Sequence, residues 1–107
     1  MTEHQPSVLR HVVLFGFKET AAPEQIGAIE QKFRGLPEKI NEIHQFEWGT
    51  DVSVEHLSQG YTHCFLVTFL TEQDRDVYLP HPAHQEFVAA LQPHLKQALV
   101  IDYWSKR

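Results

Sequence analysis

Cysteine is nearly missing from this chain: Cys64 is alone among 107 residues, so no disulfide can form within it. A reducing compartment, the cytoplasm, is the expected setting. No apolar run approaches the roughly 20 residues that a membrane-spanning helix requires, so no membrane role is expected. The first residues, Met1 to Pro6, have neither the basic flank nor the apolar stretch of a secretory signal. Basic residues are scarce and scattered, nine Lys and Arg against fourteen Asp and Glu, for a formal net charge of −5. A phosphate backbone would find no electrostatic footprint, so nucleic acid is not an expected partner. The five glycines stand apart and form no phosphate-cradling loop. With 42% hydrophobic and 21% charged residues, the composition is that of an ordinary soluble domain. A length of 107 residues makes a single domain, 1–107, with a core expected over about 9–104.

Periodicity divides that domain. Val8 to Lys18 alternates Leu9, His11, Val13, Phe15 and Phe17 against Val8, Val12 and Leu14, which predicts a strand apolar on both faces. Pro23 suits a first helical position, and Ile26, Ile29, Phe33, Leu36 and Ile40 then recur in steps of three and four. An amphipathic helix of about four turns is predicted, weakest at Gly35 or Pro37. A second strand is predicted over His44 to Val52, a polar loop over Ser53 to Gly60 and a third strand over Tyr61 to Leu70. Thr71 is a candidate N-cap for a short helix, Glu72 to Leu79. A longer helix ending near Pro93 or Lys96 should follow, then a last strand from Leu99 to Trp104.

Between the two later helices lies the most informative stretch, Tyr78-Leu79-Pro80-His81-Pro82-Ala83-His84. Proline lacks the backbone N–H and is tolerated in a first helical turn, which sets the helix start near His81. His84 then lies one turn inside, in phase with Phe87, Val88, Leu91 and Leu95. An imidazole is thereby aimed at the core side of a helix.

The order β-α-β-β-α-β is the ferredoxin-like pattern, an α+β fold with a four-stranded antiparallel sheet and helices on one face. Strands apolar on both faces would leave the uncovered side of the sheet in water, which a second copy would remedy. A two-fold homodimer is expected, its two sheets together forming an α/β barrel.

Several short motifs then carry a resemblance over about Leu9 to Tyr103: the opening strand from His11 to Phe17, Trp48-Gly49, Gly60-Tyr61-Thr62-His63, His81-Pro82-Ala83-His84 and Asp102-Tyr103. In these the chain resembles the stress-responsive A/B barrel domain family. The resemblance implies a dimeric α+β barrel and a cofactor-free chemistry, since the family's characterised enzymes are plant polyketide cyclases that close a poly-β-ketone by aldol condensation. It also implies His84 as base and Tyr78 as its catalytic partner. His11, His63 and Asp102 stand at matching ligand-facing positions, and Phe33 replaces a tyrosine of the plant cyclase in the pocket wall.

That chemistry needs a neutral imidazole at the end of an apolar cavity and a hydroxyl to bind an enolate. Burial would lower the pKa of His84, whereas Asp102 at a ring nitrogen would oppose the shift. The ligand would be a small apolar carbonyl compound or an aromatic acid. The alternative is a non-catalytic stress or ligand-binding protein whose histidines form a structural hydrogen-bond network.

Eight histidines invite a metal reading, but the chain lacks paired carboxylate motifs and zinc-binding cysteines, so neither metal nor other cofactor is expected. Cys64 reads as a small apolar filler, Trp48 and Trp104 as core or interface anchors, and Asp74, Arg75 and Asp76 as a solvated helix face.

Overall fold

The computed structural model describes residues 7–106; Met1 to Pro6, expected to carry no secretory signal, and Arg107 lie outside the described residues. The elements are β1 (Leu9–Phe17), α1 (Pro23–Arg34), α2 (Leu36–Lys39), β2 (Gln45–Thr50), β3 (His63–Phe69), α3 (Glu72–Tyr78), α4 (Pro82–Leu91) and β4 (Leu95–Trp104), with a 3-10 turn at Gln92–His94 before β4. The four strands form one antiparallel sheet in the order β2-β3-β1-β4. This is the ferredoxin-like fold that the pattern predicts.

Strand β1 runs between β3 and β4, so its alternation sorts the whole sheet. Leu9, His11, Val13 and Phe15 are buried under the helices. They join Phe65, Val67 and Phe69 of β3, Ile29 and Phe33 of α1 and Phe87 and Leu91 of α4 in one core. Its centre is aromatic: Phe33 stacks on Phe65 with ring centroids 4.3 Å apart and meets Phe87 at 4.5 Å. On the other face the register sets Leu14 opposite Leu99 and Val12 opposite Ile101, with Leu99, Ile101 and Tyr103 exposed. Cys64 lies on this side, opposite Leu14, and is exposed and not buried filler. Trp48 packs parallel to Phe65, as an anchor of the core margin.

Strands β2 and β3 and helix α3 fall within two residues of their expected bounds, and two regions depart further. The single first helix is two, because Pro37 has no N–H to continue the hydrogen-bond ladder past Gly35. The last helix stops at Leu91, and Leu95 opens β4 and does not close the helix's apolar face. Pro93 again breaks the ladder, and pairing of Leu95 with Phe17 and of Gln97 with Gly16 overrides the helical propensity of Leu95 to Ala98. Gly16 is also closely approached from the loop before β3: a Cβ there would stand 2.7 Å from the Gly60 carbonyl oxygen, and Gly60 itself has φ +88°.

The helix caps follow the chemistry read from sequence. The Thr71 hydroxyl accepts the Asp74 N–H at 3.0 Å, and His81 Nδ1 accepts the Ala83 N–H at 3.0 Å, with Pro82 at the first position of α4. Phe65 is wholly buried and touches Phe15, Phe33, Phe46 and Trp48. Its truncation leaves a void that four rings border. Phe65→Ala should cost about 3–5 kcal/mol in urea unfolding, and a loss below about 1 kcal/mol would contradict this packing.

Candidate active site

The register of β1 with β4 builds the first half of the site. His11 lies directly opposite Asp102, and side chains opposite one another in an antiparallel pair share a face. His11 Nδ1 and Asp102 Oδ1 are 2.6 Å apart, and because an ionised carboxylate only accepts, the imidazole donates. The other carboxylate oxygen, Oδ2, receives Arg75 Nη1 from α3 at 3.3 Å.

The second half comes from the turn between α3 and α4. Tyr78 ends α3, and the proline-flanked turn brings His84 of α4 back over it, ring centroids 4.5 Å apart. His84 Nδ1 lies 2.8 Å from the Leu79 carbonyl oxygen. A carbonyl has no proton to give, so Nδ1 carries the hydrogen and the lone pair of the neutral ring sits on Nε2, which no described residue bonds. Desolvation lowers the pKa of His84 from its ordinary 6.5 and outweighs the Leu79 hydrogen bond, which favours the charged form; nearby His11 and His81 lower it slightly more. Asp102 does not select the His84 tautomer, because its position on β4 commits it to His11; the peptide carbonyl does so instead.

Tyr78 is fully buried between the two imidazoles, with the His11 ring 5.7 Å away and edge-on. Its hydroxyl has no hydrogen-bond partner among the described residues. A buried hydroxyl without a partner costs roughly 1–3 kcal/mol. Burial also pushes the phenol's pKa upward, which keeps it an O–H donor.

His11, Tyr78, His84 and Asp102 form the polar end of a cavity of about 330 Å3. Val13, Phe15, Phe33, Phe87, Val88 and Leu91 supply most of its apolar wall. Of the candidate residues only His63 is not brought here. It borders a separate concavity of about 430 Å3 with Leu14, Cys64 and Leu99, and both its ring nitrogens are engaged: Nε2 with Glu30 Oε2 at 2.7 Å, Nδ1 with Thr62 Oγ1 at 2.8 Å. Glu30 of α1 has no signal in the sequence pattern. Arg75, expected on a solvated helix face, instead turns toward β4, and its place three residues before Tyr78 was the available clue. No helix is long and apolar enough to cross a membrane among the described residues.

The family model for the stress responsive A/B barrel domain matches residues 9–105. The chain belongs to this family. It is 40% identical over 101 residues to the stress-response A/B barrel domain-containing protein HS1 of Arabidopsis thaliana, covering 94% of this chain and 93% of that protein. The olivetolic acid cyclase of Cannabis sativa is 26% identical over 99 residues, 92% of this chain and 98% of the cyclase. Among solved structures, the hydroxynitrile lyase from Passiflora edulis superposes with a TM-score of 0.89 at 27% identity, covering 95% of this chain and 96% of the lyase. A neighbour described as a dimeric ferredoxin-like protein, from Jannaschia sp. CCS1, matches with a TM-score of 0.78 at 26% identity over 90% of this chain and 97% of its own. Two plant relatives on this scaffold are thus named as a cyclase and a lyase.

The lowered pKa of His84 has a thermodynamic consequence. Its folded-state value lies below the unfolded one, so the unfolded chain binds this proton more readily, and stability is lost as pH falls through 6.5 toward the folded-state value. His84→Phe removes that term. Between pH 7.5 and about pH 5 the urea midpoint of wild type should therefore fall further than that of the variant; equal falls would contradict a buried neutral His84.

Proposed function

We propose that this stress-response A/B barrel protein is a cofactor-independent acid–base enzyme acting on a small carbonyl compound, in the manner of a cyclase, isomerase or lyase. The observation that carries the reading is the orphaned hydroxyl of Tyr78, whose ring packs 4.5 Å from that of His84 with its unbonded Nε2, both lining one largely apolar cavity. In this reading His84 Nε2 removes a proton α to the carbonyl, the C–H electron pair moves into an enolate, and Tyr78 donates its O–H to the enolate oxygen. In a cyclisation the enolate carbon then attacks a second carbonyl, whose oxygen takes the proton from His84 Nε2; in an isomerisation of a conjugated ketone the dienolate takes that proton at its γ carbon. His11 and Asp102 orient the reacting group, and Phe33 holds its apolar body against α1.

The lining favours one ligand class. No Lys or Arg borders the cavity among the described residues, and Asp102 stands at its polar end. An aromatic acid would set a second carboxylate against Asp102, whose cation, Arg75, lies outside the lining and already faces three carboxylates, so an uncharged ketone or aldehyde with an apolar or aromatic body fits better. The volume of about 330 Å3 is at the small end of ligand cavities.

A structural network is the better reading for His63 alone, whose ring is saturated by Glu30 and Thr62. The exposed Leu99, Ile101 and Tyr103 of the helix-free face support a homodimer, and the single cysteine supports a cytoplasmic setting.

A screen of aryl and alkyl ketones, β-diketones and cyanohydrins tests the activity. His84→Ala and Tyr78→Phe should each lower kcat/KM by at least about a hundredfold without changing the sedimentation coefficient, and unchanged turnover in either variant would remove it from the chemistry. Sedimentation at about micromolar concentration should give the mass of two chains; a monomer would refute the pairing of sheet faces.

A further inference from the structure

Every nitrogen of the Arg75 guanidinium faces a carboxylate. Nε lies 3.2 Å from Asp76 Oδ1, Nη2 lies 3.9 Å from Glu72 Oε1, and Nη1 lies 3.3 Å from Asp102 Oδ2. The first two partners belong to the same helix, are more than half exposed and hold the guanidinium in orientation. The third crosses to β4, where the carboxylate is 27% exposed and already bonded to His11 through its other oxygen.

We propose that Arg75 is a positioning residue of the cavity, fixing the Asp102–His11 pair and the helix that carries Tyr78 in one arrangement. Three features support it. Strand β4 is an edge strand whose outer half is exposed, so a carboxylate on it has no neighbouring strand to confine it on that side. Gripped at both oxygens, Asp102 cannot rotate away without breaking one charge-assisted bond. Arg75 also precedes Tyr78 by three residues, on the same side of α3, so the contact that holds Asp102 holds the helix as well. A second strap runs parallel to it, from Trp104 Nε1 to Glu72 Oε2 at 3.3 Å. Lysine cannot reproduce the grip, because an ammonium lacks the planar fork that reaches carboxylates on two elements at once.

Solvent-accessible ion pairs add little to stability, so a positioning role separates cleanly from a folding one. The catalytic part of this inference rests on the acid–base reading of the cavity; its structural part does not. The decisive measurement is the proton spectrum of the His11 Nδ1–H, which a 2.6 Å bond to a carboxylate shifts far downfield, assigned by its loss in Asp102→Asn. In Arg75→Gln this resonance should broaden or move upfield while thermal unfolding shifts by only a few degrees, about the effect of one exposed pair. Arg75→Lys should fall between the two. With a turned-over ketone, Arg75→Gln should lower kcat about tenfold and leave KM within about twofold.

An unchanged His11 resonance in Arg75→Gln overturns the proposal. Should that variant not fold, Arg75→Lys decides in its place, and a wild-type His11 resonance there overturns it equally. If no ketone or aldehyde is turned over by wild type, the acid–base reading fails, and the His11 resonance still decides the role of Arg75.

Discussion

The position of β1 between β3 and β4 is the constraint on which this molecule depends. Its backbone is hydrogen-bonded on both edges, so a slip of one residue against either neighbour would turn Leu9, Val13 and Phe15 out of the core. The aromatic cluster of Phe15, Phe33, Phe65 and Phe87 makes that slip costly. The register so held is also what sets His11 against Asp102. Hydrophobic packing, which has no direction of its own, is thereby converted into a directed hydrogen bond of 2.6 Å.

Polar groups on the covered face are then of two kinds. His63 is paired at both nitrogens and ties α1 to β3, as a buried polar group must if it is not to destabilise the fold. The Tyr78 hydroxyl and His84 Nε2 lack protein partners although neighbouring groups are satisfied. A buried polar atom without a partner is a cost that the rest of a marginally stable fold must offset. The two faces of the sheet also differ: one borders the cavity beneath the helices, and the other carries Val12, Leu14, Leu99 and Ile101, of which Leu99 and Ile101 are exposed.

Much of this was legible in residue order. Alternation in β1 and β3, the three-and-four spacing of α1, the Thr71 cap and the proline-marked start of α4 are local signals, and each element formed where its local signal was strong. The end of α4 and the start of β4 were not legible, because Leu95 to Ala98 suits a helix by propensity and becomes strand only through pairing with Phe17 to Phe15. For the site, helical periodicity pointed to His84 and the family resemblance to Tyr78, His11 and Asp102; all four line one cavity.

Sequence by itself determined which residues face the core and the order of the elements, because hydrophobic periodicity and proline chemistry act within a few residues of one another. Only the tertiary structure decided who bonds to whom. Asp102 pairs with His11 and not with His84, the Leu79 carbonyl accepts the hydrogen bond of His84 Nδ1–H, His63 is drawn to Glu30, and Arg75 leaves the solvated face for β4. Hydrogen bonds form between atoms about 3 Å apart, and such distances between residues up to 91 positions apart in the chain are set by strand register and helix docking, which no local pattern encodes.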